Sequence, residues 1–145
     1  MAVTFKIRDL AEALPEKVHN FQTDALMIAL SLTAPTAEAS NPLLSDNGIL
    51  ANVTQISYTT YSDDMTVDRR LEDVTSTETG GTYALDAKDI RITAVGGPLS
   101  FRYVYVYNDT PAGDPLIGCI DNETVMTLAA GESVDLRWHA TGVLR

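Results

Sequence analysis

The residues of this 145-residue sequence that could take part in chemistry are two histidines, one cysteine and a small group of aspartates. His19 and His139 lie in no metal-ligand or acid–base motif. The chain also contains no nucleophile elbow, phosphate-binding loop or dinucleotide fingerprint. The sequence therefore predicts no catalytic residue, no metal ligand and no cofactor, and it favours a protein that is not an enzyme.

The aspartates and the cysteine also have simple structural interpretations. Asp63, Asp64 and Asp68 form an acidic cluster, but a calcium loop needs regularly spaced oxygen donors, a glycine and a closing glutamate, which are absent. A solvated acidic turn is the preferred interpretation. Cys119 lies in an apolar run, where a free thiol is typically a buried core residue, and a single cysteine permits no internal disulfide.

Charge and composition exclude several classes of partner. Twenty acidic residues against ten basic ones give a formal charge of −10, which repels nucleic-acid phosphates and anionic lipid. No segment approaches the roughly 20 consecutive apolar residues that span a bilayer, and the first residues lack the pattern of a signal peptide. We therefore expect a single globular domain over residues 1–145 that is made in the cytoplasm and binds neither nucleic acid nor membrane.

Short β-type segments recur along the chain. They predict a mainly β fold, an antiparallel β-sandwich or barrel-like domain with at most one short helix near residues 9–14. The predicted strands cover residues 24–32, 53–61, 66–75, 83–85, 90–94, 101–107, 116–120, 124–128 and 134–138. The predicted turns between them contain Asp63-Asp64, Thr79-Gly80-Gly81, Gly96-Gly97-Pro98, residues 108–113 and Ala130-Gly131.

Two further segments each have two interpretations. In residues 1–8, Val3, Phe5 and Ile7 alternate on one face, which predicts either an ordinary edge strand or an arm that pairs with a neighbouring chain. Residues 33–48 are rich in Ala, Ser, Thr, Pro and Asn and predict a long surface loop. Loops of that length are uncommon in compact domains, so this one is either a mobile excursion or part of an interface.

The segment 101–107 is the strongest predicted strand, because it is almost wholly aromatic and β-branched. Its odd positions carry Phe101 and three tyrosines, and its even positions include Val104 and Val106. A strand with two apolar faces is either central in a sheet or part of a subunit contact. The candidate interface residues are accordingly Val3, Phe5, Ile7, Tyr103, Tyr105 and Tyr107.

Residues 101–110 (Phe-Arg-Tyr-Val-Tyr-Val-Tyr-Asn-Asp-Thr), followed by Pro115-Leu116-Ile117-Gly118 and Asp121, resemble a family of small structural proteins of tailed bacteriophages. A Gly131-Glu132 turn and a terminal Gly142-Val143-Leu144 extend the similarity, and a looser, collinear likeness precedes it. The sequence departs from the family at residues 61–64, where members often have an Asn-Gly-Tyr and Gly-Gly stretch.

The resemblance implies a virion component on the capsid surface, and head decoration (a cement protein) is the role that fits best. Its implied partners are the major capsid protein and further copies of itself, arranged as a homotrimer. The resemblance supplies no catalytic residues. Another virion role, such as tail tube, head–tail connection or fibre base, stays open, as does a ligand-binding β-sandwich module.

Overall fold

The computed structural model describes residues 3–8, 19–56, 61–63 and 69–137, and the predicted mainly β fold is confirmed. The strands are β1 (Val3–Lys6), β2 (Leu26–Ser31), β3 (Tyr61–Asp63), β4 (Thr75–Thr79), β5 (Thr82–Asp86), β6 (Ile90–Ala94), β7 (Leu99–Asn108), β8 (Leu116–Leu128) and β9 (Ser133–Leu136). Short 3-10 turns cover Pro35–Ala37 and Leu50–Asn52. The helix expected near residues 9–14 lies outside the described residues.

The strands of the described ranges pair antiparallel in three sheets. The largest has the order β1-β8-β7-β2, the second has the order β3-β6-β9, and β4 pairs with β5 in a two-stranded ribbon. One hydrophobic cluster includes buried side chains from β2, β6, β7 and β8. Burial of apolar surface in this shared core is the main force that holds the two larger sheets together.

The long strand β8 replaces two shorter predicted strands at 116–120 and 124–128. Its register against β7 shifts, because Phe101 pairs with Met126 whereas Tyr103 pairs with Asp121. The extra residues of β8 form a bulge in which Glu123 has a φ of 62°. A bulge interrupts the hydrophobic alternation without ending the strand, which explains why the sequence pattern showed a gap there.

Several predicted boundaries are wrong. Residues 53–56 are not a strand, since the Val53 N–H closes a 3-10 turn on the Leu50 carbonyl. In the predicted strand 66–75, the described part before Thr75 is irregular and contributes an isolated bridge from Arg70 to β2. Asp63, expected in a turn, belongs to β3. In the first two cases a local β pattern was overridden by the tertiary pairing, and at Asp63 the pairing with β6 extended a strand into a predicted turn.

The two segments with alternative interpretations are both fixed to the body of the protein. The N-terminal segment forms β1, an edge strand on β8 of its own sheet, which is the ordinary one of its two interpretations. In the loop 33–48, the Glu38 carboxylate accepts hydrogen bonds from the backbone N–H and the hydroxyl of Thr54, at 2.7 and 2.8 Å. The Gly48 carbonyl also accepts the Leu116 N–H at 2.8 Å.

Candidate functional site

The three tyrosines of β7 belong to the core of the chain. Tyr103, Tyr105 and Tyr107 are 5%, 0% and 4% exposed, and the alternating Val104 and Val106 are buried as well. Both faces of β7 are therefore covered by the chain itself, and β7 lies between β2 and β8. Of the two interpretations, the central strand is the one the structure has. The three tyrosines leave at most 5% of their surface exposed, and their role as interface residues stays a prediction.

The other three candidate interface residues lie on or beside the edge strand β1. Val3 pairs with Asp121 and Phe5 with Cys119, so one edge of β1 is satisfied by β8. Within the described ranges no strand pairs with its other edge. Phe5 is half-buried and Ile7, just after the strand, is 2% exposed. What the segment offers to a partner is therefore the backbone N–H and C=O groups along the outer edge of β1, which are unpaired within the described part of the chain.

A buried polar cluster joins the segment before β2 to the end of β7. The Asn108 side-chain Nδ2 lies 3.0 Å from Nδ1 of His19 and donates to Asp24 Oδ2 at 2.6 Å. The Asn20 backbone N–H donates to the same Asp24 oxygen at 2.7 Å. The Thr110 backbone N–H donates to Asn108 Oδ1 at 3.0 Å. These bonds hold the loop before β2 against the turn after β7.

Burial sets the electrostatics of this cluster. His19 is 8% exposed and stacks on the Phe21 ring with 5.4 Å between the ring centres. Desolvation lowers the pKa of His19 below its usual value, and the nearby Asp24 carboxylate offsets part of that effect. The cluster therefore connects two backbone segments around a histidine whose charged form burial disfavours.

Sequence reasoning identified His19 only as a lone histidine and assigned no role to Asp24 or Asn108. The available signal was the Tyr-Asn-Asp of the resemblance, whose Asn108 is the centre of the cluster. Its partners are 84 and 89 residues away in the sequence. No local spacing rule connects residues at that separation.

An open cleft of about 510 Å³ lies beside this cluster. Residues 21–24 line one part of it and residues 70–74 the other. Its charged lining is mixed, with Asp24, Glu72 and Asp73 against Arg70, and Glu72 also faces Lys88 at 3.6 Å. A cleft with this wide, mixed lining lacks the convergent polar groups that fix a small ligand.

A second polar contact fixes the bulge of β8. The Arg102 guanidinium donates to both carboxylate oxygens of Asp121, at 2.7 and 2.9 Å, and lies 5.2 Å from the centre of the Tyr103 ring. The Glu123 backbone N–H donates to Asp121 Oδ1 at 2.8 Å. The hydrogen bonds from Arg102 lower the pKa of Asp121. The pair orients the backbone of the bulge and contains no group placed to react.

The described residues contain no group of three or more side chains able to hold a metal ion. Of the acidic cluster proposed from the sequence, Asp63 lies in β3, and Asp64 and Asp68 fall outside the described residues. No helix in the part of the chain that the structure describes is long and apolar enough to cross a membrane.

Comparison with known proteins identified no relative of this chain. No protein-family model, no curated protein and no solved structure matches the chain.

Proposed function

We propose that this protein is a structural component of a bacteriophage particle and that it decorates the head shell. The observation that carries the proposal is the place of the residues behind the resemblance. The aromatic strand and the Pro-Leu-Ile-Gly segment lie in β7 and at the start of β8, the two central strands of the largest sheet. The proposal therefore rests on the resemblance itself, whose most specific residues form this central pair of strands.

The polar residues of the motif support the same role. Asn108 links the loop before β2 to the end of β7, and Asp121 fixes the bulge of β8 through Arg102. Both have structural partners for their side-chain oxygens. A protein that stays on the outside of a particle needs this kind of internal connection more than it needs a reactive site.

The edge of β1 is the surface we propose for contact with the major capsid protein or with another copy of this chain. An unpaired edge can accept an extended segment through main-chain hydrogen bonds, while alternate side chains provide the fit. The formal charge of −10 would keep the protein away from packaged DNA. Copies arranged in threes around symmetry axes of a shell would repeat this contact many times.

Mass spectrometry of purified particles tests the proposal. We expect hundreds of copies retained on heads, counted relative to the major capsid protein, and a solution mass three times the 15.7 kDa chain mass. A handful of copies, or retention on isolated tails, would assign the protein to another virion part. Absence from the particles would overturn the proposal altogether.

A pair of variants tests the contact surface itself. Phe5→Glu places a charge on β1 at a half-buried side chain that packs against the core, and Val95→Glu places the same charge at an exposed position in the turn between β6 and β7. We expect Phe5→Glu to reduce particle occupancy more than tenfold and Val95→Glu to leave it unchanged. The melting temperature of each free variant shows whether a loss reflects the contact or the fold. Full occupancy by a folded Phe5→Glu protein would exclude the β1 edge.

A further inference from the structure

The hydrogen bonds around Asn108 determine the protonation state of His19. The amide orientation is set by Thr110, whose backbone N–H donates to Asn108 Oδ1. Nδ2 therefore faces His19 Nδ1 and Asp24 Oδ2, and each of its two hydrogens has an acceptor. Because Nδ2 has no acceptor capacity, Nδ1 of His19 must accept. The ring is thus neutral and carries its proton on Nε2, which is buried and has no hydrogen-bond partner among the described residues.

Protonation of Nδ1 is incompatible with this arrangement. A proton there would face the Asn108 amide hydrogens, so two donors would oppose each other across 3.0 Å. Turning the Asn108 amide over does not repair the contact, since it would break the bonds to Thr110 and Asp24. The ring is 8% exposed, so water does not replace the lost acceptor while the cluster stays closed.

The surrounding charges do not offset this cost. Asp24 favours the charged ring, but its Oδ2 already accepts from Asn108 and from the Asn20 backbone. The turn after β7 contributes Asp109, whose backbone N–H donates to the Ala25 carbonyl at 2.8 Å. Across the cleft, the segment 70–74 contributes one basic and two acidic side chains. Burial dominates, and it lowers the pKa of His19.

We propose that His19 is a pH-sensitive latch, which closes the loop before β2 onto the turn after β7 when neutral and opens that contact when protonated. The contact sits at the entry to β2, on the opposite edge of the sheet from β1. Opening would release the segment before β2 from the sheet and leave the β2–β7 ladder in place. This inference does not depend on the proposed virion role.

The direction of the effect follows from linkage. The pKa of His19 is lowered in the closed state, so the open state binds more protons between that pKa and the unperturbed value of about 6.5. Above about pH 7.5 the ring is neutral in both states, so the ratio of open to closed molecules no longer depends on the ionisation of His19. As the pH falls through this window, the ratio of open to closed molecules rises by up to about tenfold per pH unit.

Amide hydrogen exchange measured by NMR between pH 5 and 7.5, corrected for intrinsic rates, tests the latch. The reporting amides are those bonded within the cluster, namely Asn20, Ala25, Asp109 and Thr110. The reference amide is Ile28, which donates to the Arg69 carbonyl at 2.9 Å. We expect protection of the four reporters to fall up to about tenfold per pH unit below about 6.5, with Ile28 unaffected.

Two variants separate His19 from the rest of the chain. His19→Gln offers a carbonyl oxygen to Asn108 but does not titrate in this range, and His139→Gln removes the other histidine of the sequence. We expect the pH dependence to disappear in His19→Gln and to persist in His139→Gln. Persistence in a folded His19→Gln protein would overturn the proposal.

The wild-type ring gives an independent answer, even where His19→Gln does not fold. Nitrogen chemical shifts should identify the Nε2–H tautomer, and the ring should titrate below pH 6.5 together with the loss of protection. A ring that titrates at or above 6.5, a proton on Nδ1 at neutral pH, or reporter amides with flat protection would each refute the latch.

Discussion

Replacing Ile7 measures whether the N-terminal segment belongs to the core of its own chain. Ile7 follows β1, is 2% exposed and belongs to the hydrophobic cluster. Truncation of a buried isoleucine to alanine costs about 2–5 kcal/mol, because apolar contact is lost and a cavity remains. A matched truncation at Val125 of β8, which is 55% exposed, should change the free energy of unfolding by less than about 0.5 kcal/mol.

Thermal and urea unfolding are the assays. For a chain of this size, each kcal/mol shifts the melting temperature by about 3 °C, so Ile7→Ala should melt about 6–15 °C below the parent protein. The urea midpoint should fall in step, with an unchanged slope if the surface exposed on unfolding is the same. Val125→Ala should melt within about 2 °C of the parent.

Two results would refute this reasoning. A change below about 0.5 kcal/mol in Ile7→Ala would mean that the segment is not packed into the core. An Ile7→Ala destabilisation that shrinks as the protein concentration rises would mean that another copy supplies the strand. A strand that pairs with β8 of its own chain predicts an Ile7→Ala effect that does not depend on concentration.

Three further predictions concern the interior and one turn. The Tyr105 hydroxyl is buried, and its contact with the Cys119 thiol falls short of a hydrogen bond. In urea unfolding, Tyr105→Phe should therefore leave the free energy of unfolding unchanged or raise it by up to about 1 kcal/mol. Tyr105→Ala should lower it by about 3–5 kcal/mol. Burial raises the pKa of Cys119 to about 12, so a thiol reagent at pH 8 should label it only in denaturant, and stoichiometric labelling of the folded protein would contradict its burial. Gly81 has a φ of 81° in the β4–β5 turn, so Gly81→Ala should lower the free energy of unfolding by about 1–2 kcal/mol. Gly97 has an ordinary φ and open space around it, so Gly97→Ala should lower it much less. Equal losses of stability would show that the positive φ of Gly81 does not limit the substitution.

The parts of the fold that follow from the sequence are those with a strong local signal. The strand β7 was predictable because its aromatic and β-branched residues fit a pleated surface and its two apolar faces require cover on both sides. The turn between β4 and β5 was predictable because Gly80 and Gly81 supply the two positive φ angles that a tight turn needs, although the strand before it was predicted at residues 66–75 and lies at Thr75–Thr79. Both features depend on residues that are neighbours in the chain.

The parts that did not follow depend on residues far apart in the chain. Nothing near His19 indicates that its partner is Asn108, because an amide and an imidazole have no periodic pattern. The continuity of β8 depends on the pair between Arg102 and Asp121, which is formed only once β7 and β8 lie side by side. Sequence periodicity reports which face of a strand is apolar and carries no information on such pairings.

The positions of Asn108 and Asp121 in the fold explain which properties the sequence resemblance can predict. Asn108 and Asp121 each hold a backbone feature, the first at the end of β7 and the second at the bulge of β8. A motif made of such residues encodes a pair of strands, and many unrelated functions use the same pair. Variants of the motif would therefore report on stability. The exposed edge of β1 is the surface at which the particle-binding experiment tests the proposed function, and because Phe5 also packs against the core, the melting temperature of Phe5→Glu must be measured together with its particle occupancy.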